Sequence, residues 1–138
     1  MIDELHVQDV ALIRDATIRP AAPGLTVLTG ETGTGKSALL SSVKLLMGER
    51  ADASAVREGA GSLTVEGRFY LAGGDPDGCV VRRRVEAQGR SRVEIDGSMA
   101  SVRELASGVG ATIDLCGQHE HQRLMSSANH RQMLDSWA

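Results

Sequence analysis

One stretch of the sequence has the residue types and the spacing of a phosphate-binding loop. It consists of Gly30, Glu31, Thr32, Gly33, Thr34, Gly35, Lys36 and Ser37, which match G-x-x-x-x-G-K-[ST] in full. The glycines let the backbone turn tightly, so that successive N–H groups face phosphate oxygens. The lysine brings an ammonium group to the β- and γ-phosphates, and the serine hydroxyl is a hard ligand for Mg²⁺. The loop therefore predicts binding of a nucleoside triphosphate, with ATP and Mg²⁺ as the expected ligands.

The segments on either side of the loop are those that a phosphate site requires. Leu25–Thr29 is a short apolar, β-branched run that predicts a buried strand. From Ser37 to Met47 apolar residues recur at helical spacing, and Gly48 follows as a C-terminal cap. The start of this helix would add unpaired N–H donors and the positive end of its dipole. The alternative, a chance glycine turn before a helix, does not account for motif and context together.

The remainder of the chain predicts mainly strands. The predicted strands are residues 2–10, 11–18, 63–71, 80–86, 90–95 and 112–116. Short helices are predicted at residues 101–107 and 128–137, and Asp96-Gly97 is a two-residue hairpin signal. No repeat or linker interrupts the sequence, so residues 1–138 are expected to form one unit.

Composition excludes several classes of protein. With 138 residues the chain can bury the core of one domain, and its net charge of −3 differs from that of a basic nucleic-acid module. Three aromatic residues are too few for a base-stacking platform. The sequence has no apolar run of membrane-spanning length, no secretion signal and only two cysteines, so we expect a cytoplasmic protein without a membrane partner.

Several segments, in this order, resemble the RecN family of bacterial DNA repair proteins, which are SMC-like members of the ABC ATPase class. These segments are residues 24–37, 45–51, 56–59, 89–92, 95–97, 117–122 and 134–135. The most specific of them is Gly117-Gln118-His119-Glu120-His121-Gln122. The chain departs from the family at Ser41-Ser42, where relatives tend to have an Asp-Ala pair, and at Cys116, where a histidine is common.

The resemblance implies an α/β fold of the P-loop NTPase type, the N-terminal lobe of an ABC/SMC-type ATPase head with an antiparallel β region. It also implies that a coiled coil and a C-terminal lobe follow, and that this second lobe supplies the signature motif, the Walker B strand and the catalytic acid. The expected partners are that lobe, a second head in a homodimer, and DNA at double-strand breaks near the nucleoid. This would explain why no apolar strand here ends in a convincing Walker B acid, since the run before Asp114 is short and polar.

By the same resemblance, Gln118 occupies the Q-loop position, where a glutamine reaches Mg²⁺ and the attacking water. Its amide oxygen is a suitable ligand for a hard cation. The alternative is a surface glutamine after a strand. Cys116, His119 and His121 have zinc-ligand chemistry, but a fourth ligand is missing, so a polar loop beside the nucleotide is the expectation.

An arginine cluster is the candidate DNA contact. It comprises Arg82, Arg84, Arg90 and Arg92, and along a strand Arg83 would take the face opposite Arg82 and Arg84. The alternative is a charged, solvated strand that resists edge pairing. Arg57 matches an arginine that lies near the nucleotide or DNA in SMC-like heads. Leu71–Asp75 superficially resembles an ABC signature motif, but the Pro76-Asp77-Gly78 that follows predicts a turn.

Two other classes of function remain open from the sequence. One is a different P-loop enzyme, either an AAA-type ATPase or a small kinase, and a kinase would need an acceptor site that the sequence does not reveal. The other is a nucleotide-gated dimerisation module, in which ATP joins two copies without being turned over.

Overall fold

The framework of the fold is one antiparallel sheet of six strands. The computed structural model describes residues 1–21, 23–31 and 35–116. The strands are β1 (Ile2–Val10), β2 (Ile13–Ile18), β3 (Ser62–Phe69), β4 (Cys79–Glu86), β5 (Ser91–Ile95) and β6 (Ser98–Ala100). They are arranged in the order β2-β1-β3-β4-β5-β6, with every neighbouring pair antiparallel.

Two α-helices lie within these residues. Helix α1 (Lys36–Leu46) lies on one face of the sheet and contacts β1, β3 and β4. Helix α2 (Val102–Ser107) contacts β5. Short 3₁₀ turns occur at Ala53–Ala55 and Val109–Thr112.

The alternation along each strand separates a core face from a polar face. On β3 the residues Leu63, Val65, Gly67 and Phe69 are buried, and the residues between them are more exposed. The same rule places Val81, Arg83 and Val85 of β4 on the core face, under the helix layer. The sheet is therefore covered by apolar packing on one side and carries charged side chains on the other.

The hairpin signal at Asp96-Gly97 and the short helix predicted at residues 101–107 are both confirmed. Asp96 (φ 50) and Gly97 (φ 81) form the two-residue turn between β5 and β6. Helix α2 begins with a capping box, in which the Ser101 hydroxyl accepts from the Glu104 N–H at 3.1 Å and the Glu104 carboxylate accepts from the Ser101 N–H at 2.6 Å. The backbone hydrogen bond from Ser101 lowers the pKa of Glu104 below its ordinary value.

Two predicted strands are wrong. Leu25–Thr29 has no strand partner among the described residues, and Leu25 is 86% exposed and Val27 69% exposed. Residues 112–116 also form no strand, because the 3₁₀ turn Val109–Thr112 occupies their start. A strand needs a hydrogen-bonded neighbour, which an apolar run cannot supply for itself. The predicted helix at residues 128–137 lies outside the described residues.

Close approach of α1 to the sheet depends on Gly67. A Cβ atom at this position would lie 2.7 Å from the Phe69 ring and 2.8 Å from Leu46 Cδ1. Phe69 and Leu46 are each 1% exposed, so neither side chain has open space to move into. The absence of a side chain in the middle of β3 therefore sets how closely the helix packs on the sheet.

We predict that Gly67→Ala overpacks this contact and lowers the free energy of unfolding by about 1–3 kcal/mol, as inserted methyl groups do in filled cores. Urea denaturation of both proteins measures the difference. Gly61→Ala is the matched control, because a Cβ there meets nothing within 4 Å. Equal stability of the Gly67→Ala and Gly61→Ala variants would contradict the prediction.

Candidate functional site

The phosphate-binding loop leads directly into α1. Gly30 and Glu31 are exposed and lie outside regular secondary structure, while Thr32, Gly33 and Thr34 lie outside the described residues. Gly35 is the N-cap residue of the helix, which begins at Lys36. The helix predicted from Ser37 to Met47 is thereby confirmed within one residue at each end.

The conformation of Gly35 explains why a glycine stands there. Its φ of 99° is in the left-handed region that side chains rarely adopt. A Cβ at Gly35 would also lie 3.3 Å from Ile13 Cγ1, so edge strand β2 packs closely behind the loop. The Gly35 carbonyl accepts the first helical hydrogen bond, from the Leu39 N–H at 3.0 Å.

The N-terminus of α1 has the electrostatic character of an anion site. No side chain caps Gly35, and the first turn contains no acidic residue. The N–H groups of this turn have no intrahelical acceptors, and the positive end of the helix dipole lies there. Oxygen atoms of a phosphate would complete these hydrogen bonds and offset the dipole.

Lys36 and Ser37 bring the remaining chemistry to this helix end. Both side chains are exposed on the first turn. The Lys36 ammonium donates to the Gly30 carbonyl and so links the two ends of the loop. An ammonium group, a hydroxyl group and uncapped backbone donors together fit a phosphate with its bound Mg²⁺.

The other candidate residues either lie outside the described residues or are not part of a metal cluster within them. Gln118, His119 and His121 lie outside the described residues, and Cys116 is exposed. Within the described part of the chain, no three metal-ligating side chains cluster together. Leu71–Asp75 opens no helix, and the turn predicted at Pro76-Asp77-Gly78 is confirmed by a hydrogen bond from the Gly78 N–H to the Asp75 carbonyl at 3.0 Å. Asp114 does not end a strand.

Arg82 is neutralised by carboxylates on both neighbouring strands. Its Nε and Nη2 lie 2.7 Å and 2.6 Å from Glu66 Oε2. Its Nη1 lies 3.5 Å from Glu94 Oε2. Of the predicted DNA-contacting arginines, this one has its charge satisfied within the sheet.

Arg84 and Arg92 form a different arrangement. They are directly opposite each other on β4 and β5, and Thr64 lies opposite Arg84 on β3. Like charges at opposite positions repel, which favours an anion placed between them. Arg84 and Arg92 line an open polar groove of about 370 Å³ on this face of the sheet, together with His6, Gln8, Thr64, Arg82 and the two glutamates that pair with Arg82, Glu66 and Glu94.

The two other arginines lie toward the same end of the sheet. Arg90 is exposed in the turn between β4 and β5, where its carbonyl accepts from the Glu86 N–H at 2.8 Å. Arg57 is half-buried, and its N–H donates to the Asp9 carbonyl at 2.8 Å. Within the described ranges, only Arg82 of the candidate DNA-contacting arginines pairs with a carboxylate, whereas Arg57, Arg84, Arg90 and Arg92 do not.

Arg83 is a structural residue whose role sequence reasoning missed. It is 1% exposed between Val81 and Val85 on the core face. Its Nη1 donates to the Leu45 carbonyl at 2.8 Å, in the last turn of α1, and also to the Glu49 carbonyl, just beyond the end of that helix. The strict alternation along β4 was the signal that placed it inward, but it could not reveal these acceptors.

An apolar groove lies between α1 and the β1–β2 edge of the sheet. Its volume is about 360 Å³. It is lined by Ile2, Leu5, Ile18, Pro20, Thr26, Leu28, Lys36, Leu39, Leu40 and Val43. Part of the exposed Leu25–Thr29 segment borders it, so the apolar surface near the loop is continuous. None of the helices that the structure describes is long and apolar enough to cross a membrane.

Comparison with solved structures defines the class of the fold. The Smc head domain with a coiled coil and joint from Pyrococcus yayanosii has a TM-score of 0.78 at 22% identity, over 97% of this chain and 31% of that chain. A chain studied for ATP-driven dimerization and DNA-stimulated activation of SMC ATPases has a TM-score of 0.73 at 21% identity, over 99% of both chains. The fold is therefore that of the N-terminal lobe of an SMC-type P-loop ATPase head.

Sequence comparison places the chain more narrowly. The model of the AAA domain family matches residues 4–132, and the chain belongs to this family. The DNA repair protein RecN of Bacillus subtilis (strain 168) is 34% identical over 152 residues, which cover 100% of this chain and 26% of that protein. The resemblance to RecN inferred from the motifs is confirmed, and the chain spans about a quarter of the length of this relative.

Proposed function

We propose that residues 1–138 are the nucleotide-binding lobe of a RecN-type ATPase that works on DNA double-strand breaks in the cytoplasm, near the nucleoid. The observation that carries the proposal is the uncapped N-terminus of α1, which presents Lys36 and Ser37 within a complete phosphate-loop motif. The SMC-head fold and the similarity to RecN support it over a small kinase.

In this proposal different groups of the loop contact different parts of ATP and its Mg²⁺. The backbone N–H groups from Gly33 to Ser37 and the Lys36 ammonium hold the β- and γ-phosphates. The Ser37 hydroxyl, joined by Gln118, contacts Mg²⁺, which neutralises phosphate charge during transfer. Lys36 exchanges its hydrogen bond to the Gly30 carbonyl for a phosphate oxygen, so ligand binding replaces a contact within the loop.

We further propose that a C-terminal lobe of the same protein covers the exposed apolar surface near the loop. Leu25–Thr29 has the composition of a buried strand but lies unpaired and exposed among the described residues. A partner strand would satisfy its backbone groups and remove its apolar side chains from water. A second head, closing over the nucleotide in a homodimer, completes the site in this proposal.

DNA contact is proposed for Arg57, Arg84, Arg90 and Arg92 rather than for Arg82. Arg84 and Arg92 face each other without a carboxylate between them, whereas Arg82 is bound by Glu66 and Glu94. A phosphate backbone along the groove would supply the missing negative charge. The nucleotide-gated dimerisation module remains the second candidate, and it differs by binding ATP without turnover.

For nucleotide binding, we predict that the wild-type chain binds ATP with Mg²⁺ and that Lys36→Ala weakens binding at least about tenfold, since a charged hydrogen bond contributes about 1.5–3 kcal/mol. Isothermal calorimetry measures both affinities. Lys44→Ala, a change of the same type at the other end of α1, is the control. Equal affinity of wild type and Lys36→Ala would overturn the assignment of the loop.

For turnover, we predict that this chain alone binds ATP but releases phosphate no faster than its Lys36→Ala variant. Loss of one transition-state donor already costs ~10²–10³ in rate, and a Walker B acid and a signature motif are both supplied from elsewhere in the proposal. A steady-state phosphate-release assay decides the point. Turnover that Lys36→Ala abolishes would mean that the catalytic acid lies within these residues.

For DNA, we predict that replacing Arg84 and Arg92 together by Gln weakens binding of a short duplex and makes it less salt-dependent. Each phosphate that the protein no longer neutralises reduces the slope of log K against log salt by about 0.9. Fluorescence anisotropy at several salt concentrations measures the slope. Arg103→Gln, on exposed helix α2, removes one positive charge away from the groove, so its effect, taken per charge removed, is the control for net charge. An unchanged slope in the double variant would rule out this face.

A further inference from the structure

Arg83 is a buried cation whose hydrogen-bond partners are all neutral groups. Its guanidinium group donates from Nη1 to the carbonyls of Leu45 and Glu49, and from Nε to the Ser91 hydroxyl at 3.2 Å. Among the described residues no carboxylate pairs with it. A buried charge is tolerated only where such hydrogen bonds compensate for lost hydration.

The end of α1 supplies that compensation. The last carbonyls of a helix lack intrahelical donors and carry the negative end of its dipole. Arg83 donates to the Leu45 carbonyl in the last turn, which also accepts from the Gly48 N–H at 3.2 Å, and to the Glu49 carbonyl just beyond the helix. The guanidinium group stays protonated at neutral pH, although burial lowers the pKa of Arg83 below its ordinary value. One arginine of β4 therefore ties the C-terminal end of α1 to the sheet.

This attachment differs in kind from the apolar packing beneath the helix. Contacts such as Leu46 on Gly67 hold α1 against the sheet, but apolar burial is non-directional and resists sliding along the helix axis only weakly. Hydrogen bonds from a planar guanidinium group fix distance and direction together. The Arg83 bonds therefore add a directional contact between β4 and the C-terminal end of α1.

The other end of the same helix is the phosphate site. Helix α1 has 11 residues and is about 16 Å long, so a shift at one end moves the other as part of a rigid rod. No side-chain cap fixes the start of the helix at Gly35. Binding groups work only when held within about 0.5 Å of their productive geometry.

We propose that Arg83 is a positioning residue of the nucleotide site: by holding the C-terminal end of α1 to β4, it sets the position of Lys36 and Ser37 at the N-terminal end. This inference rests on the proposed function of the loop. Arg83 itself touches no ligand and acts through the helix.

The first test compares ATP-Mg²⁺ affinity by calorimetry for wild type, Arg83→Met, Arg83→Lys and the control Arg68→Met. Arg68 is an exposed arginine of β3, so its replacement removes the same charge without touching α1. Below the unfolding temperature of each protein, Arg83→Met binds about tenfold more weakly, the scale of losses when a group behind a ligating residue is removed. Arg83→Lys recovers part of the affinity, because an ammonium group still donates to a helix carbonyl. Wild-type affinity in folded Arg83→Met would overturn the proposal.

The second test needs no nucleotide and separates this proposal from the proposed function. Hydrogen exchange of Arg83→Met is expected to accelerate along the whole of α1, including the Leu39 amide that bonds to Gly35, while β1 and β3 keep their protection. Acceleration confined to Leu45 and its neighbours would show that the start of the helix does not depend on Arg83, and would overturn the proposal. If wild type binds no ATP, the function of the loop fails, and the exchange pattern still decides whether Arg83 holds α1.

A milder variant covers the case in which Arg83→Met does not fold. Ser91→Ala removes only the acceptor of the Arg83 Nε and leaves the Leu45 and Glu49 carbonyls bound. The same pattern of exchange and a loss of affinity smaller than that of Arg83→Lys are expected. Unchanged exchange throughout α1 in Ser91→Ala, together with unchanged exchange in Arg83→Lys, would contradict the proposal.

Discussion

The packing of α1 on the sheet is the interaction on which the phosphate site depends. The helix carries Lys36 and Ser37 on its first turn, so the phosphate site can be no better ordered than the helix that presents it. Gly67 lets Leu46 approach the sheet, and Arg83 binds the carbonyls at the helix end. The position of α1 on the sheet thus depends on two residues outside the helix, a glycine in β3 and a buried arginine in β4.

Local patterns predicted most elements of this fold because they are decided by neighbours in sequence. Asp96-Gly97 forms its turn through backbone conformations that few other residue pairs adopt, and Ser101 caps α2 through a residue three positions later. Leu25–Thr29 failed for the opposite reason. Its composition favours a strand, but strand formation needs a partner, and whether one is present cannot be read from the segment itself.

The same distinction governs the functional residues. The loop from Gly30 to Ser37 was recognisable because its chemistry depends on a continuous stretch of backbone. The sequence could not show which arginines of the cluster are paired with carboxylates, because each arginine finds its partners on the neighbouring strands. Arg82 meets Glu66, which is 16 positions away, whereas Arg84 meets Arg92. Identical side chains two residues apart therefore have opposite electrostatic surroundings.

Because successive side chains of a strand point to opposite faces, β4 presents arginines to both faces of the sheet. Arg84 faces the polar groove, while Arg83, the next residue toward the N-terminus, faces α1 and the core. A ligand that moved the backbone of β4 on the polar face would also move the donor that holds the helix end, because the two side chains share one strand. Because the core is closely packed, it has low compressibility and transmits such a displacement instead of absorbing it. The position of Arg83 therefore makes β4 a direct hydrogen-bonded link between the polar face of the sheet and the helix that carries the phosphate loop.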